Sequence, residues 1–116
     1  MRARTLILLA LFDCSPDTSS TPSCPSDLPN ECVNPPPSFK TDVEPILERR
    51  CWVCHTDGGP AAATHDFSTY DHVFLQRGSM LNQVYSCRMP PADAGQPTPD
   101  ERAKLLMWFV CKAPDN

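Results

Sequence analysis

"CWVCH", residues 51–55, sets two cysteines three apart and a histidine directly after the second. A C-x-x-C pair serves three chemistries: a redox dithiol, a zinc knuckle and covalent haem attachment. A dithiol of the thioredoxin kind needs a βαβ frame around it. A structural zinc ion needs four ligands. Cys51, Cys54 and two of His65, His72, Cys87 and Cys111 could supply them on paper, but no second pair has knuckle spacing. Haem attachment uses the whole pentapeptide. If a helix runs through it, residues 51, 54 and 55 share one face by their i, i+3 and i+4 spacing. Two thiols could then reach the two vinyl groups of one porphyrin, with His55 beneath the iron.

Working outward, the flanking sequence is helical. "KTDVEPILERRCWVCH" offers Asp42 as an N-cap, acids in the first turn and Pro45 where its missing N–H costs nothing. Val43, Ile46 and Leu47 fall on one face. After the glycine-bearing loop "TDGGPAAATHD", "STYDHVFLQ" repeats the start signal with Ser68, and carries Tyr70, Val73 and Phe74 as its apolar stripe. "SMLNQVYS" is a third short candidate. "CRMPP" breaks any helix at Pro90, and a proline-studded loop runs on to Gln96. In "TPDERAKLLMWFVC", Thr98 caps, Pro99 takes the first helical position and Glu101 completes a capping box. Leu105, Leu106, Trp108, Phe109 and Val110 cover so much of that helix that it must be buried. No alternating strand pattern appears, which leaves a dithiol without its frame. The fold expected is all-α, with three to four short helices.

The amino-terminal third reads differently. "MRARTLILLALFDC" has arginines at 2 and 4 and an apolar run from Thr5 to Phe12, too brief to span a bilayer. Residues 1–13 thus read as an export signal. Cys14 comes immediately after, as in a bacterial lipoprotein signal whose cysteine carries lipid, although Phe12 and Asp13 stand where small residues are usual. Residues 14–37 hold seven prolines among serines, threonines and acids and read as an extended tether, up to about 70 Å long. Residues 38–116 form the globular domain. Without residues 1–13 the chain keeps 8 basic and 13 acidic side chains, a net charge of −5. With no basic run, nucleic acid is excluded as a partner, and a positively charged redox partner suits the balance better.

From about Phe39 to Pro114, the chain resembles a class I c-type cytochrome, of the small single-haem kind found as exported bacterial lipoproteins. "VEPILERRCWVCH", "RMPP" and the terminal "LLMWFVCKAP" carry the resemblance. It implies a cytochrome c-like domain around one covalently bound haem c, attached through Cys51 and Cys54. It also implies His55 as proximal iron ligand and Met89, in the Met-Pro-Pro loop, as distal ligand. Other candidates for the sixth position are Met80, Met107, His65 and His72. Pro60, in "GGP", matches the family's loop proline whose carbonyl accepts from the proximal imidazole. Arg88 is a candidate to face a haem propionate. With two of the seven cysteines on haem and Cys14 on lipid, four remain. Cys87 with Cys111, and Cys24 with Cys32, is the pairing expected.

The function implied is that of an electron carrier, not an enzyme. His/Met ligation would fill both axial positions, and no serine–histidine–acid or paired-carboxylate constellation competes. The partners implied are redox proteins, with a membrane reached through lipid on Cys14, and the location is periplasmic or membrane-anchored. The rival is a haem-based ligand sensor or a peroxidase-like enzyme with an open sixth position.

Overall fold

The computed structural model describes residues 23–116. The expected export signal and the lipid on Cys14 lie outside the described residues. Helix dominates, and no strand occurs among the described residues. A π-helical turn at Phe39–Val43 leads into α1 (Glu44–Arg50) and the single turn α2 (Trp52–His55). Next come α3 (Tyr70–Leu75), α4 (Arg77–Tyr85) and α5 (Pro99–Val110). Five α-helical segments thus stand where three to four were expected. The added joint is the slight break at Cys51, and the joint between α3 and α4 at Gln76 is as slight, the backbone leaving helical dihedrals for one residue at each.

Caps explain the starts. At the first helix, Ser38 caps instead of Asp42: its hydroxyl accepts from the Thr41 amide at 3.2 Å. Asp42 lies one turn on and accepts from the Ser38 amide at 2.7 Å, so the two residues exchange bonds. In α3 the cap is Thr69, one residue beyond the Ser68 expected, accepting from His72 N–H. The capping box of α5 is as read, with Thr98 and Glu101 bonded reciprocally at 3.1 Å.

α5 is the centre of the core. Leu105, Leu106 and Trp108 are buried against Val43, Ile46 and Leu47 of the first helix and Val73 of α3. Phe39 sets its ring edge-on to Tyr70 at 5.1 Å and packs on Trp108 at 5.5 Å. Two of the aromatic polar tips are satisfied, with Trp108 Nε1 donating to Pro114 O at 3.0 Å and Tyr70 OH to Ala113 O at 2.8 Å, whereas Trp52 Nε1 is buried without a partner. The two bonds hold the carboxy-terminal residues over the core, where Asn116 accepts from Phe39 N–H and from the Ser38 hydroxyl.

Residues 23–37 have neither helix nor strand, as their prolines require, but they are fastened to the helical body. The expected pairing of cysteines is corrected here. Cys24 is bonded to Cys87 and Cys32 to Cys111. Both bridges join the amino-terminal strap to the ends of α4 and α5, instead of staying within one region. Counting cysteines sets their parity, not their partners. Between the two bridges, Arg102 grips Asp27 through two 2.8 Å bonds. The bridges span 63 and 79 residues, and by loop entropy each is worth about 4 kcal/mol. Two disulfides fit an oxidising compartment. No helix among the described residues is long and apolar enough to cross a membrane.

Candidate functional site

A cavity of about 490 Å³, open on one side, lies between α1–α2, the 60–67 loop, α4, the 89–97 loop and α5. Its volume falls within the rough range of 300–1,000 Å³ for ligand sites. The lining is largely apolar, with Leu47, Phe67, Met80, Val84, Leu105 and Phe109 as the floor, and it includes Cys51, Cys54, His55 and Met89.

The break at Cys51 does not separate the motif. Cys54 N–H and His55 N–H both donate to Cys51 O, at 3.2 and 3.0 Å, so one turn still carries both thiols and the imidazole. The next loop folds back tightly over that turn, with Ala61 N–H on Cys54 O at 2.8 Å. Gly59 makes the close approach possible: a β-carbon there would stand 2.6 Å from Cys54 O and 2.8 Å from Val53 O. Phe67 N–H donates to His55 O at 2.8 Å, and the Phe67 ring stacks on the imidazole with centroids 4.2 Å apart.

His55 is held by its other nitrogen too. Nδ1 lies 2.7 Å from the carbonyl of His65. That carbonyl can only accept, so Nδ1 carries the proton and Nε2 is left as the lone-pair nitrogen. Pro60 lines the cavity, but the role expected of its carbonyl falls to His65; this expectation is corrected. The loop is longer than one turn, and its far end is what reaches the ring.

Arg88 is also corrected. Its side chain is exposed and outside the cavity lining, because the chain turns at Cys87 and its backbone is drawn onto α4 through Gln83 O. The arginine that lines the cavity is Arg50. Its guanidinium is fixed by Glu101, with Nη2 to Oε1 at 2.7 Å, and Arg49 adds a bond at 3.2 Å. Arg50's hydrogen bonds hold the Glu101 carboxyl down at about 2, against the opposing effect of burial. The adjacency of "ERR" to the first cysteine is the only trace of this pair in the sequence, and its partner lies 51 residues on.

Among the candidates for the sixth position, Met89, Met80 and His65 line the cavity, whereas Met107 and His72 do not. Met80 is buried at 7 % exposure and packs in the core. His65 is tied to His55 through its carbonyl and belongs to the same wall. His72 faces Asp66 instead, at 3.2 Å. Met89 stands on the 89–97 loop, where Gln96 braces the turn by donating to Pro90 O and Pro91 O. Sequence reasoning misses Gln76, which carries no motif. Its amide nitrogen donates to Asp66 O and His72 O, which fastens the 65–67 segment to α3.

The expectation of a metal-binding group is corrected. Among the described residues no three His, Cys, Asp or Glu side chains come together to hold a metal ion, so iron and zinc alike find no site built from protein ligands. The Cys51–Cys54–His55 trio faces a hydrophobic cavity instead. The dithiol reading also loses ground. Burial, and then the neighbouring Cys54, push the Cys51 thiol up to about 11, where a reactive dithiol needs it lowered. Comparison with protein-family models, with curated proteins and with solved structures finds no match to this chain.

Proposed function

We propose that the chain is an exported electron-transfer protein of the class I c-type cytochrome kind, carrying one covalently attached haem. One observation carries the reading. Of the six cysteines among the described residues, four are bridged, and the two left as free thiols are Cys51 and Cys54, side by side with His55 on one turn and lining an apolar cavity. Two unpaired thiols, where every other cysteine among the described residues is bridged, call for a partner outside the chain.

The residues fit such a group. Cys51 and Cys54 would hold it as thioethers. His55 would present Nε2 as one axial ligand, with its ring oriented by His65 O and by the Phe67 face. Met89 would present its thioether sulfur as the other. Any iron would arrive within the porphyrin, which is why no cluster of protein ligands is needed. When bound, the haem supplies a one-electron couple. The chain's own contribution would be to exclude water with the floor of Leu47, Leu105 and Phe109, and to offer His55 and Met89 to the iron. Arg50, neutralised in part by Glu101, is the cation best placed for a carboxylate at the cavity wall.

Exposure of Met89, at 42 %, keeps the second reading in play: a haem protein with an open sixth position that binds small ligands. The absorption spectrum of the chain expressed with haem maturation separates the two. Electron transfer requires the far-red sulfur-to-iron band in the oxidised protein and slow binding of carbon monoxide to the reduced one. Rapid carbon monoxide binding without that band would establish the open site. An exported, periplasmic or lipid-anchored location completes the proposal. It is supported by the two disulfides and by the signal-like residues 1–13.

A further inference from the structure

Met89 sits in a loop with little core to hold it, yet an axial ligand must return to one place. Its backbone N–H donates to Gln83 O at 3.1 Å, and the neighbouring Arg88 N–H shares the same acceptor at 2.9 Å. The position of Met89 is therefore inherited from the end of α4. That end is turned by Cys87, a non-glycine residue in the left-handed region with φ 59°. Such a conformation costs energy and persists only where its surroundings over-determine it.

Two devices do so. Cys87 is bonded to Cys24 of the strap. Arg102, reaching from α5, donates to Tyr85 O at 3.1 Å and to Val84 O at 2.7 Å, the carbonyl that also accepts from Cys87 N–H at 3.1 Å. The same guanidinium lies 3.5 Å from Cys87 Sγ and grips Asp27 of the strap through Nε and Nη2. A planar fork with five donors can bind a carboxylate through two bonds and two carbonyls at once, where a lysine has only three donors. The side chain is only 12 % exposed, so water replaces little of this network.

We propose that Arg102 and the Cys24–Cys87 bridge form a clamp that positions Met89 as the distal ligand. They are positioning residues acting through Cys87 and the end of α4, and the proposal rests on the reading of Met89 as an axial ligand. The strap is then more than a connection to the amino terminus: its first anchored turn sets the sixth coordination position. Cys32–Cys111 has no such role, because it closes on the end of α5, away from the loop.

The test uses the full exported chain with haem attached, as wild type, Arg102→Gln, the double variant Cys24→Ser/Cys87→Ser, and the control Cys32→Ser/Cys111→Ser. The control opens a loop of 79 residues against 63, so loop entropy costs it at least as much stability. Three quantities are read at a temperature where every protein is folded: the sulfur-to-iron band, the rate of carbon monoxide binding, and hydrogen exchange at the amides of residues 87–89. The clamp variants should lose half of the band or more, and bind carbon monoxide at least tenfold faster. Their 87–89 amides should exchange at least tenfold faster, while the control keeps all three wild-type values. If Arg102→Gln fails to fold, the double variant carries the test alone. A wild type without the band overturns the axial assignment itself. A wild type with the band, whose clamp variants keep it or whose control loses it equally, overturns the clamp alone.

Discussion

The wall of the cavity that carries His55 is woven from bonds between close neighbours, whereas the wall that carries Met89 is hung from distant parts of the chain. The contacts made to the His55 turn and ring lie within residues 51–67, with Gln76 as the one brace from beyond: the turn on Cys51 O, the return of Ala61 to Cys54 O, the carbonyl of His65 and the stack of Phe67. Met89 instead depends on Gln83 O, on Arg102 15 residues past Cys87, and on Cys24, 63 residues before it. Local bonds close short loops at small entropic cost and give a rigid frame, while long closures depend on the rest of the fold being in place. The same contrast divides what the two walls would do. One wall would hold the cofactor, and the other would choose between an electron carrier and a ligand binder.

The sharpest break of that comparison comes from exchanging one ligand on each side. Cys51→Ala/Cys54→Ala should abolish covalent haem altogether, read as loss of the pyridine haemochrome signal from the polypeptide. Met89→Ala should leave haem attached, because the His55 wall is intact, but lower the midpoint potential, remove the sulfur-to-iron band and admit carbon monoxide readily. Equal loss of haem in both variants would show that the walls are not independent.

Packing comes next in size. Met80→Ala removes a core side chain at 7 % exposure and should cost about 2–5 kcal/mol in denaturant unfolding without touching the band. Gly59→Ala forces a β-carbon against Cys54 O and Val53 O, and should cost about 1–3 kcal/mol. Because it presses directly on the motif turn, it should also slow haem attachment, which Met80→Ala should not.

A comparable but pH-dependent effect belongs to the brace beneath both walls. Glu101 has its folded pKa at about 2, below the ordinary 4.5. Its contribution is therefore complete above about 4.5 and is lost as pH falls towards 2. Glu101→Gln should cost about 2–3 kcal/mol at neutral pH, the scale of hydrogen bonds to a charged group. The gap between wild type and variant should narrow as unfolding is measured from pH 5 down to about pH 2. A constant gap would mean the carboxylate charge is not what Arg49 and Arg50 bind. Smallest of all, Arg88→Ala should change stability by less than about 0.5 kcal/mol, since its side chain is exposed and outside the cavity.

Legibility in the sequence divides along the same line. The capping box at Thr98–Glu101 and the apolar stripes of the first and last helices are local patterns, and they are readable. So is the grouping of Cys51, Cys54 and His55, which one turn enforces. Spacing cannot say whether Pro60 or His65 turns its carbonyl to the ring, because both acceptors lie in one loop. The disulfide partners, the Arg50–Glu101 pair and Arg102's grip on Asp27 depend on how a segment without periodicity lies across the body. No propensity encodes that. The strap reads as a free tether because prolines forbid helices and ladders, but they do not forbid being stapled.

The measurement that bears most directly on the central claim is the mass of the chain after denaturation. The protein is to be exported with haem maturation, unfolded in acid and organic solvent, and weighed. The account predicts a polypeptide heavier by one haem, with the addition mapping to the peptide that carries Cys51 and Cys54 and both disulfides intact elsewhere. A polypeptide of bare mass, from which haem separates or to which none was ever bound, would contradict it.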